Sequence, residues 1–241
     1  MMGAAPVASL TLRGLLDRRR SWLMAALAAV PVLMAALVVI SEQARLTPTV
    51  FDTLLIRTVL PLIALVFGTA SIGSELEEGT IVYLLVKPIT RLRIVLAKGV
   101  VAAGLTAALV VPSTLLTGIV ASTATPRLLG ISAGYAVAIG IGAAAYGLAF
   151  MALSTFTSRA LAIGLGYVLL WEGILSGLLE GTRTFSIRQA TLSLAVELSG
   201  ARTRQPLLEP LTAVVVLTAV IAGALALATW RMSRFELRGG E

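Results

Sequence analysis

Six long apolar stretches dominate the chain and restrict its fold more than any other feature. A helix that crosses the hydrocarbon core of a bilayer needs about 20 mostly apolar residues. Because backbone groups facing lipid must be hydrogen-bonded within their own segment, each stretch is predicted to be a helix. We therefore predict an all-α, polytopic membrane protein with six transmembrane helices. The predicted spans are residues 22–40, about 58–74, about 99–120, 133–153, 160–179 and 211–230, within one transmembrane domain over residues 22–230.

The composition agrees with this class of protein and excludes several others. Only 13% of the 241 residues are charged, and the mean hydropathy is +0.97, whereas a soluble domain carries about 25% charged residues. The net charge of +7 would suggest nucleic acid in a soluble protein, but basic residues beside membrane spans explain it here. We expect no nucleic-acid partner. The chain has no Cys and no His, so we predict no metal site and no catalytic residue.

The basic residues also indicate the orientation in the membrane. With the N-terminus in the cytoplasm, 12 Lys and Arg lie inside and seven outside. Four of those seven belong to a long outer loop, residues 180–210, where the positive-inside rule is weaker. Both termini are therefore predicted to be cytoplasmic. The first apolar stretch is longer than the roughly 7–15 residues of a signal-peptide core, so it is read as a retained span.

Three segments outside the spans also have a predicted form. Residues 1–21 alternate leucines with arginines, which favours an amphipathic helix on the inner membrane surface. The alternative is a disordered tail. Residues 186–197 in the outer loop have apolar side chains at helical spacing, which predicts a short helix on the outer surface, with a covered loop as the alternative. Residues 231–241 form a cytoplasmic tail.

A cytoplasmic connector, residues 75–98, collects charges between two apolar spans. Gly79 can end the second span, Thr80 can cap a new short helix, and Pro88 would stop it. One apolar face of this helix has i, i+3 and i+4 spacing and consists of Ile81, Leu84 and Leu85. Such a helix can lie in the lipid interface or dock in a groove on a cytoplasmic partner. The neighbouring carboxylates favour docking, because an anionic inner leaflet would repel them.

The connector resembles the coupling segment of ABC-2 type transporter permeases. The resemblance lies in acidic residues followed by Gly79-Thr80, Tyr83-Leu84-Leu85, Lys87-Pro88-Ile89-Thr90-Arg91 and Lys98. It extends to the basic N-terminal segment, the six spans, the long outer loop and Trp171-Glu172-Gly173. In that family the segment touches the ATPase subunit. The resemblance thus implies these ATPase-coupling residues: Glu77, Glu78, Gly79, Thr80, Ile81, Tyr83, Leu84, Leu85, Lys87, Pro88 and Arg91.

The sequence contains no G-x-x-x-x-G-K-[ST] phosphate loop, so ATP would have to bind another polypeptide. We expect no enzyme activity and no cofactor in this chain, with ATP and Mg in a partner ATPase. The resemblance implies a permease subunit that exports its substrate and pairs with a second, identical or related permease subunit. It also implies a multi-pass protein of a prokaryotic cell membrane. A self-sufficient secondary transporter and a non-transporting membrane anchor for a cytoplasmic complex remain alternatives.

Glu172 is the one clear ionisable residue within the predicted spans. A carboxylate at membrane depth must be solvated, paired or protonated. It could line the transport path or the seam of a dimer. The other interpretation, which we favour, is a structural hydrogen bond or ion pair, with Arg57 or Arg183 as its partner.

Overall fold

The computed structural model describes residues 4–15, 18–43, 46–77, 90–175, 184–201 and 207–234, and every regular element in these ranges is a helix. In chain order, the helices are α1 (Ala4–Leu15), α2 (Arg18–Ile40), α3 (Thr47–Thr49, Val50–Val59 and Leu60–Glu77 in succession), α4 (Arg91–Ser122), α5 (Leu128–Ser154), α6 (Ala160–Gly166 and Tyr167–Leu175 in succession), α7 (Ile187–Ser199) and α8 (Pro210–Ser233).

Five of the described helices are long and apolar enough to cross a membrane. These are Arg20–Ile40 of α2, Thr47–Gly73 of α3, and the whole of α4, α5 and α8. The all-α, polytopic class predicted from the sequence is therefore confirmed. The remaining predicted span, residues 160–179, corresponds to α6, whose apolar part Ala160–Gly173 is shorter. Residues 176–179 lie outside the described ranges, so this fifth predicted span, and with it the count of six, stays a prediction.

The long helices alternate in direction, which separates two ends of the bundle. We call the end at which α2 begins and α3 finishes the inner end, and the opposite end the outer end. The N-terminal helix α1 packs at the inner end against α3 and α4. Its residues Thr11 and Leu15 are buried, whereas Leu10 and Leu12 are exposed. The bundle therefore covers one face of α1 and leaves these two leucines uncovered.

Helix α3 begins at Thr47, well before the predicted start of the second span near residue 58. Pro48 lies in its first turn, where a missing N–H costs nothing. The segment Val50–Val59 is wound as a π-helix, and the N–H of Leu60 bonds to the carbonyl of Leu55. Polar residues between 47 and 57 lower the local hydropathy. The apolar run that predicted the second span therefore begins only near residue 58.

This longer helix overturns the expectation that Glu172 is the one ionisable residue within the spans. Asp52 and Arg57 both lie in the π-helical part of the membrane-spanning α3. Asp52 is buried. Lys98 is also buried within α4. Charged groups can occupy such positions because each one finds a partner inside the bundle.

Helix α5 is the centre of the bundle and packs against α3, α4, α7 and α8. It is rich in glycine and alanine, and small residues allow helix backbones to approach closely. A Cβ atom added at Gly147 would lie 3.4 Å from Cα of Ala103 on α4. By contrast, α2 and α8 are mostly unburied and carry many exposed apolar side chains, as a lipid-facing helix requires.

The predicted helix of the outer loop exists as α7, but its predicted place on the outer surface is wrong. Every residue from Ile187 to Ala195 is buried. Helix α7 runs antiparallel to α5, since Ser199 lies against Gly134 and Thr191 lies against Gly142. Gly142 is about halfway along the 27-residue α5. The N-terminal end of α7 therefore lies deep in the bundle, and Gly200 ends the helix in the left-handed conformation.

We expect Gly134→Ala to destabilise the docking of α7. A Cβ atom at Gly134 would lie 2.6 Å from the backbone N of Ser199, and such overpacking costs about 1–3 kcal/mol. Gly140→Ala is the matched control on the same helix, because nothing lies within 4 Å of its added Cβ. The midpoint of thermal unfolding in detergent should fall for the first variant and stay level or rise for the second. Equal midpoints would show that α7 does not pack as described.

Candidate functional site

The coupling residues implied by the family resemblance lie mostly outside the described residues, as residues 78–89 do. Of that set, Glu77 is the last residue of α3 and Arg91 is the first residue of α4. Thr90 occupies the N-cap position of α4 with extended backbone, but its side chain makes no capping hydrogen bond. The described structure therefore includes the two helix ends, at Glu77 and Arg91, that the undescribed part of the connector links.

A buried lysine joins these two helix ends. The side chain of Lys98 on α4 is 1% exposed, and its Nζ donates a hydrogen bond of 2.8 Å to the carbonyl of Ser71 on α3. Around this level, an apolar cluster connects α3, α4, α5 and α8. It includes Ile72, Ile94, Met151 and Ala228. A buried ammonium group without partners would be strongly destabilising. The contact thus fixes the inner ends of α3 and α4 to each other.

A second polar site surrounds Glu172, which lies in the π-helical part of α6 and is 1% exposed. Two tyrosine hydroxyls donate hydrogen bonds to its Oε1 atom, Tyr146 of α5 at 3.1 Å and Tyr167 of α6 at 2.8 Å. The hydroxyl of Ser186 donates a short hydrogen bond to Oε2. Together with Arg188, these residues form what we call the Glu172 cluster.

The Glu172 carboxylate lies at the N-terminal end of α7. The backbone N–H of Arg188 donates to Oε1 at 3.4 Å, and the guanidinium Nε lies 3.9 Å from Oε2. Ser186 is the N-cap of α7, and its hydroxyl accepts the N–H of Gln189 at 3.1 Å. The first N–H groups of a helix have no partner within the helix, and together they carry a partial positive charge. The carboxylate therefore balances a helix end that has no access to bulk water.

Arg57 connects this region to α3. Its Nη2 atom donates a hydrogen bond of 2.6 Å to the carbonyl of Gly173, the residue that follows Glu172. The two π-helical segments, one in α3 and one in α6, are thereby joined. π-helical turns are frequent at functional sites in helices. Arg57 was one of two partners expected for Glu172, and it reaches the neighbouring carbonyl, while Arg183, the other one, lies outside the described residues.

A separate polar contact joins α3 and α5 nearer the outer end. The hydroxyl of Tyr135 donates a 2.6 Å hydrogen bond to Oδ1 of Asp52. The ring of Phe51 packs against the ring of Tyr135, with centroids 5.1 Å apart. Tyr135 follows Gly134, the residue that contacts α7. This contact therefore supports the same part of α5 that packs against α7.

The sequence-based reasoning identified Glu172 but missed the groups that hold it. Those groups are Tyr146, Tyr167, Ser186 and Arg188. Two signals could have found them. A Ser before a predicted helix is a common N-cap, and three of the four tyrosines of the chain, Tyr146 and Tyr167 among them, lie within apolar runs where a hydroxyl needs a partner. No signal in the chain predicts that residues 14 and 16 positions after Glu172 return to it.

The described residues include no group of three or more Asp, Glu, His or Cys that could hold a metal ion. The Glu172 carboxylate accepts hydrogen bonds from three hydroxyls and one backbone N–H. Groups held in this way bind helices to each other and set their positions. The arrangement favours the structural interpretation of Glu172.

The helices and these buried polar contacts define a multi-pass α-helical membrane protein in which charged side chains join the helices to one another. The comparison with protein families then identifies the group to which it belongs. The family model of the ABC-2 family transporter protein matches residues 11–237, so the chain belongs to this family, as the connector suggested. A search of curated proteins gave no match. Membership in the family makes the chain a membrane permease of an ABC transporter and implies pairing with an ABC ATPase subunit.

We expect Glu172→Ala to destabilise the permease strongly. The substitution leaves the buried Arg188 without this carboxylate and the N-terminal end of α7 unbalanced, and breaking a buried pair typically costs about 3–5 kcal/mol. The double variant Glu172→Leu with Arg188→Leu removes both charges and should recover part of the loss. The measurement is the midpoint of thermal unfolding in detergent.

The control for this prediction is Glu197→Ala in the last part of α7, where the side chain is exposed. It should leave the midpoint unchanged. If Glu172→Ala were no more destabilising than this control, the carboxylate would not be holding α7.

Proposed function

We propose that the chain is the permease subunit of an ABC-2 exporter and that a separate ATPase subunit binds and hydrolyses ATP with Mg. The observation that carries the proposal is the family match over residues 11–237 in a chain that has no phosphate-binding loop. Under this proposal the chain has no catalytic residue and binds no cofactor. Its work is mechanical, and the energy comes from nucleotide bound elsewhere.

The proposed path of the movement starts at the connector between α3 and α4. The ATPase would press on the segment around Leu84 and Leu85. The bond from Lys98 to the carbonyl of Ser71 supports this path, because helices fixed to each other move together. Packed helices with discrete arrangements are the usual carriers of such motion. Helices α3 and α4 both pack against α5, which would extend the movement through the bundle.

The outer end would follow the movement through α5. Tyr146 of α5 and Glu172 of α6 hold the buried end of α7, and α7 also packs against α8. A shift of α5 would thus reposition α7, which packs along the outer half of α5. We propose that this coupled repositioning opens the path for export.

The proposed assembly contains two permease subunits, identical or related, and cytoplasmic ATPase subunits in a prokaryotic cell membrane. Support for a second permease comes from the large apolar surfaces that remain exposed, above all on α2 and α8. Lipid covers such surfaces as readily as a partner does, so their exposure is compatible with the pairing without requiring it.

One observation favours a second candidate function, a self-sufficient secondary transporter. Such proteins place the ends of interrupted helices near the middle of the membrane, facing charged groups. The buried N-terminal end of α7 beside Glu172 has this form. The two functions differ in whether transport by the purified chain needs an ATPase. We favour the ABC function, because the chain belongs to the ABC-2 family.

We expect Leu84→Glu and Leu85→Glu each to abolish association with the ATPase, because a carboxylate would be buried unpaired in an apolar groove. The measurement is co-purification of the ATPase with the tagged permease from membranes. Leu129→Glu is the matched control, since Leu129 is 50% exposed at the outer end. Membrane insertion should be normal in all three variants. A complex that still purifies whole with both connector variants would refute docking through this face.

The proposed orientation can be read from single cysteines, since the chain has none of its own. Ser41 follows α2 at the outer end and Ser233 ends α8 at the inner end, and both are exposed. In intact cells, a membrane-impermeant maleimide should label Ser41→Cys at once. It should label Ser233→Cys only after the membrane is permeabilised. The reverse pattern would place the connector outside the cell and defeat the proposed function.

A further inference from the structure

A cleft of about 260 Å3 opens at the inner end of the bundle. The inner part of α3 forms its floor, the start of α2 forms one wall, and the turn between α5 and α6 forms the other. Polar side chains and one glycine supply much of the lining. They are Arg20, Thr69, Gly73, Ser154, Thr157 and Ser158. No part of the proposed transport mechanism uses this cleft.

The lining has the chemistry of an anion site. Among the described residues of the lining, Arg20 is the one with a charge, and the lining contains four hydroxyl groups. The hydroxyls of Thr69 and Ser154 donate to carbonyls of their own helices. Thr157 instead accepts the N–H of Arg159 at 3.1 Å, so its own O–H can serve another acceptor. Arg guanidinium and hydroxyl donors are the groups that proteins use most for phosphate oxygens.

Apolar side chains on the helix that carries Arg20 and on the far wall of the cleft are exposed, which indicates a lipid as the source of the anion. Trp22 and Leu23, which follow Arg20 on α2, are 70% and 59% exposed. On the opposite wall, Leu161 is 52% exposed and also lines the cleft. Side chains of this kind lie against acyl chains, and Trp is favoured at the level of the headgroups. A soluble phosphate would gain no binding energy from contact with these apolar side chains.

The size of the cleft agrees with a headgroup. Clefts that enclose a whole drug-sized ligand measure roughly 300–1,000 Å3, and this one is smaller at about 260 Å3. A water molecule needs roughly 10–15 Å3 of this kind of volume, so the cleft has room for a phosphate with its glycerol, while the acyl chains must stay outside. The anionic lipids of an inner leaflet are attracted to basic residues beside membrane spans.

We propose that this cleft binds the phosphate headgroup of an anionic phospholipid, with Arg20 as its cationic contact and the acyl chains along α2 and α6. None of the lining residues belongs to the connector (residues 75–98) or to the Glu172 cluster. The site does not depend on the proposed transport function, so a failure of one leaves the other standing.

The test is native mass spectrometry of the purified full-length chain in detergent, with phosphatidylglycerol or phosphatidylcholine added. The wild-type chain should retain one tightly bound phosphatidylglycerol, and Arg20→Gln should weaken this binding about tenfold, as loss of a charge-assisted hydrogen bond does. Arg93→Gln is the matched control, because Arg93 is an exposed arginine of the inner end that does not line the cleft. It should change the binding less than twofold.

A second variant tests the cleft without removing a charge. A Cβ atom at Gly73 would lie 3.6 Å from Cβ of Ser154, an ordinary contact, so Gly73→Leu can fill the cleft from its floor. It should abolish the tight binding while the unfolding midpoint without added lipid stays near that of the wild type. Loss of binding in Gly73→Leu would support the proposal even if Arg20→Gln failed to fold.

Four results would overturn the proposal. The first is an equal loss of phosphatidylglycerol binding in Arg20→Gln and Arg93→Gln, which would indicate a general attraction of charges. The second is equally tight binding of phosphatidylcholine. The third is displacement of the lipid by millimolar inorganic phosphate, which would make a soluble anion the ligand. Retained binding in Gly73→Leu would likewise show that the lipid sits elsewhere.

Discussion

The outer half of this protein depends on a single electrostatic constraint, which is that a helix N-terminus inside the bundle needs a negative group beside it. Helix α7 begins deep in the protein, where its first N–H groups cannot reach bulk water. The carboxylate of Glu172 and the hydroxyl of Ser186 accept hydrogen bonds from these N–H groups, as water would at a surface. Without it, the buried start of α7 and the guanidinium of Arg188 would both lack compensation, and the segment would be better placed at the surface.

The inner half depends on a different kind of contact, in which a cation meets a backbone carbonyl. Lys98 fastens α4 to α3 at the two helix ends that flank the connector. The two halves share α5, whose glycines and alanines let α3, α4 and α7 approach closely. The proposed function requires a mechanical path from the connector to the outer end. The central position of α5 is suited to that task.

Buried charge and irregular helix winding occur together in this structure. Asp52 and Arg57 lie in the π-helical segment of α3, and Glu172 lies in that of α6. A π-helical turn widens the helix and redirects its side chains and carbonyls, so that Arg57 can reach the carbonyl of Gly173 on the neighbouring helix. Regular α-helical winding would present these groups on different faces. The irregular winding thus serves the polar contacts that hold the outer half together.

The sequence by itself determined the class of protein, the approximate position of most apolar helices and the presence of a costly carboxylate at Glu172. Hydropathy and the missing phosphate loop are local properties that need no knowledge of packing. Tertiary structure decided that α7 enters the bundle, that α3 begins at Thr47, and that Arg188 joins the Glu172 cluster. These depend on contacts between distant residues, such as α7 against α5, where Gly134 lies against the backbone of Ser199 and Gly142 against the side chain of Thr191. Side-chain pairing across helices is a property of the assembled bundle, and hydropathy along the chain does not predict it.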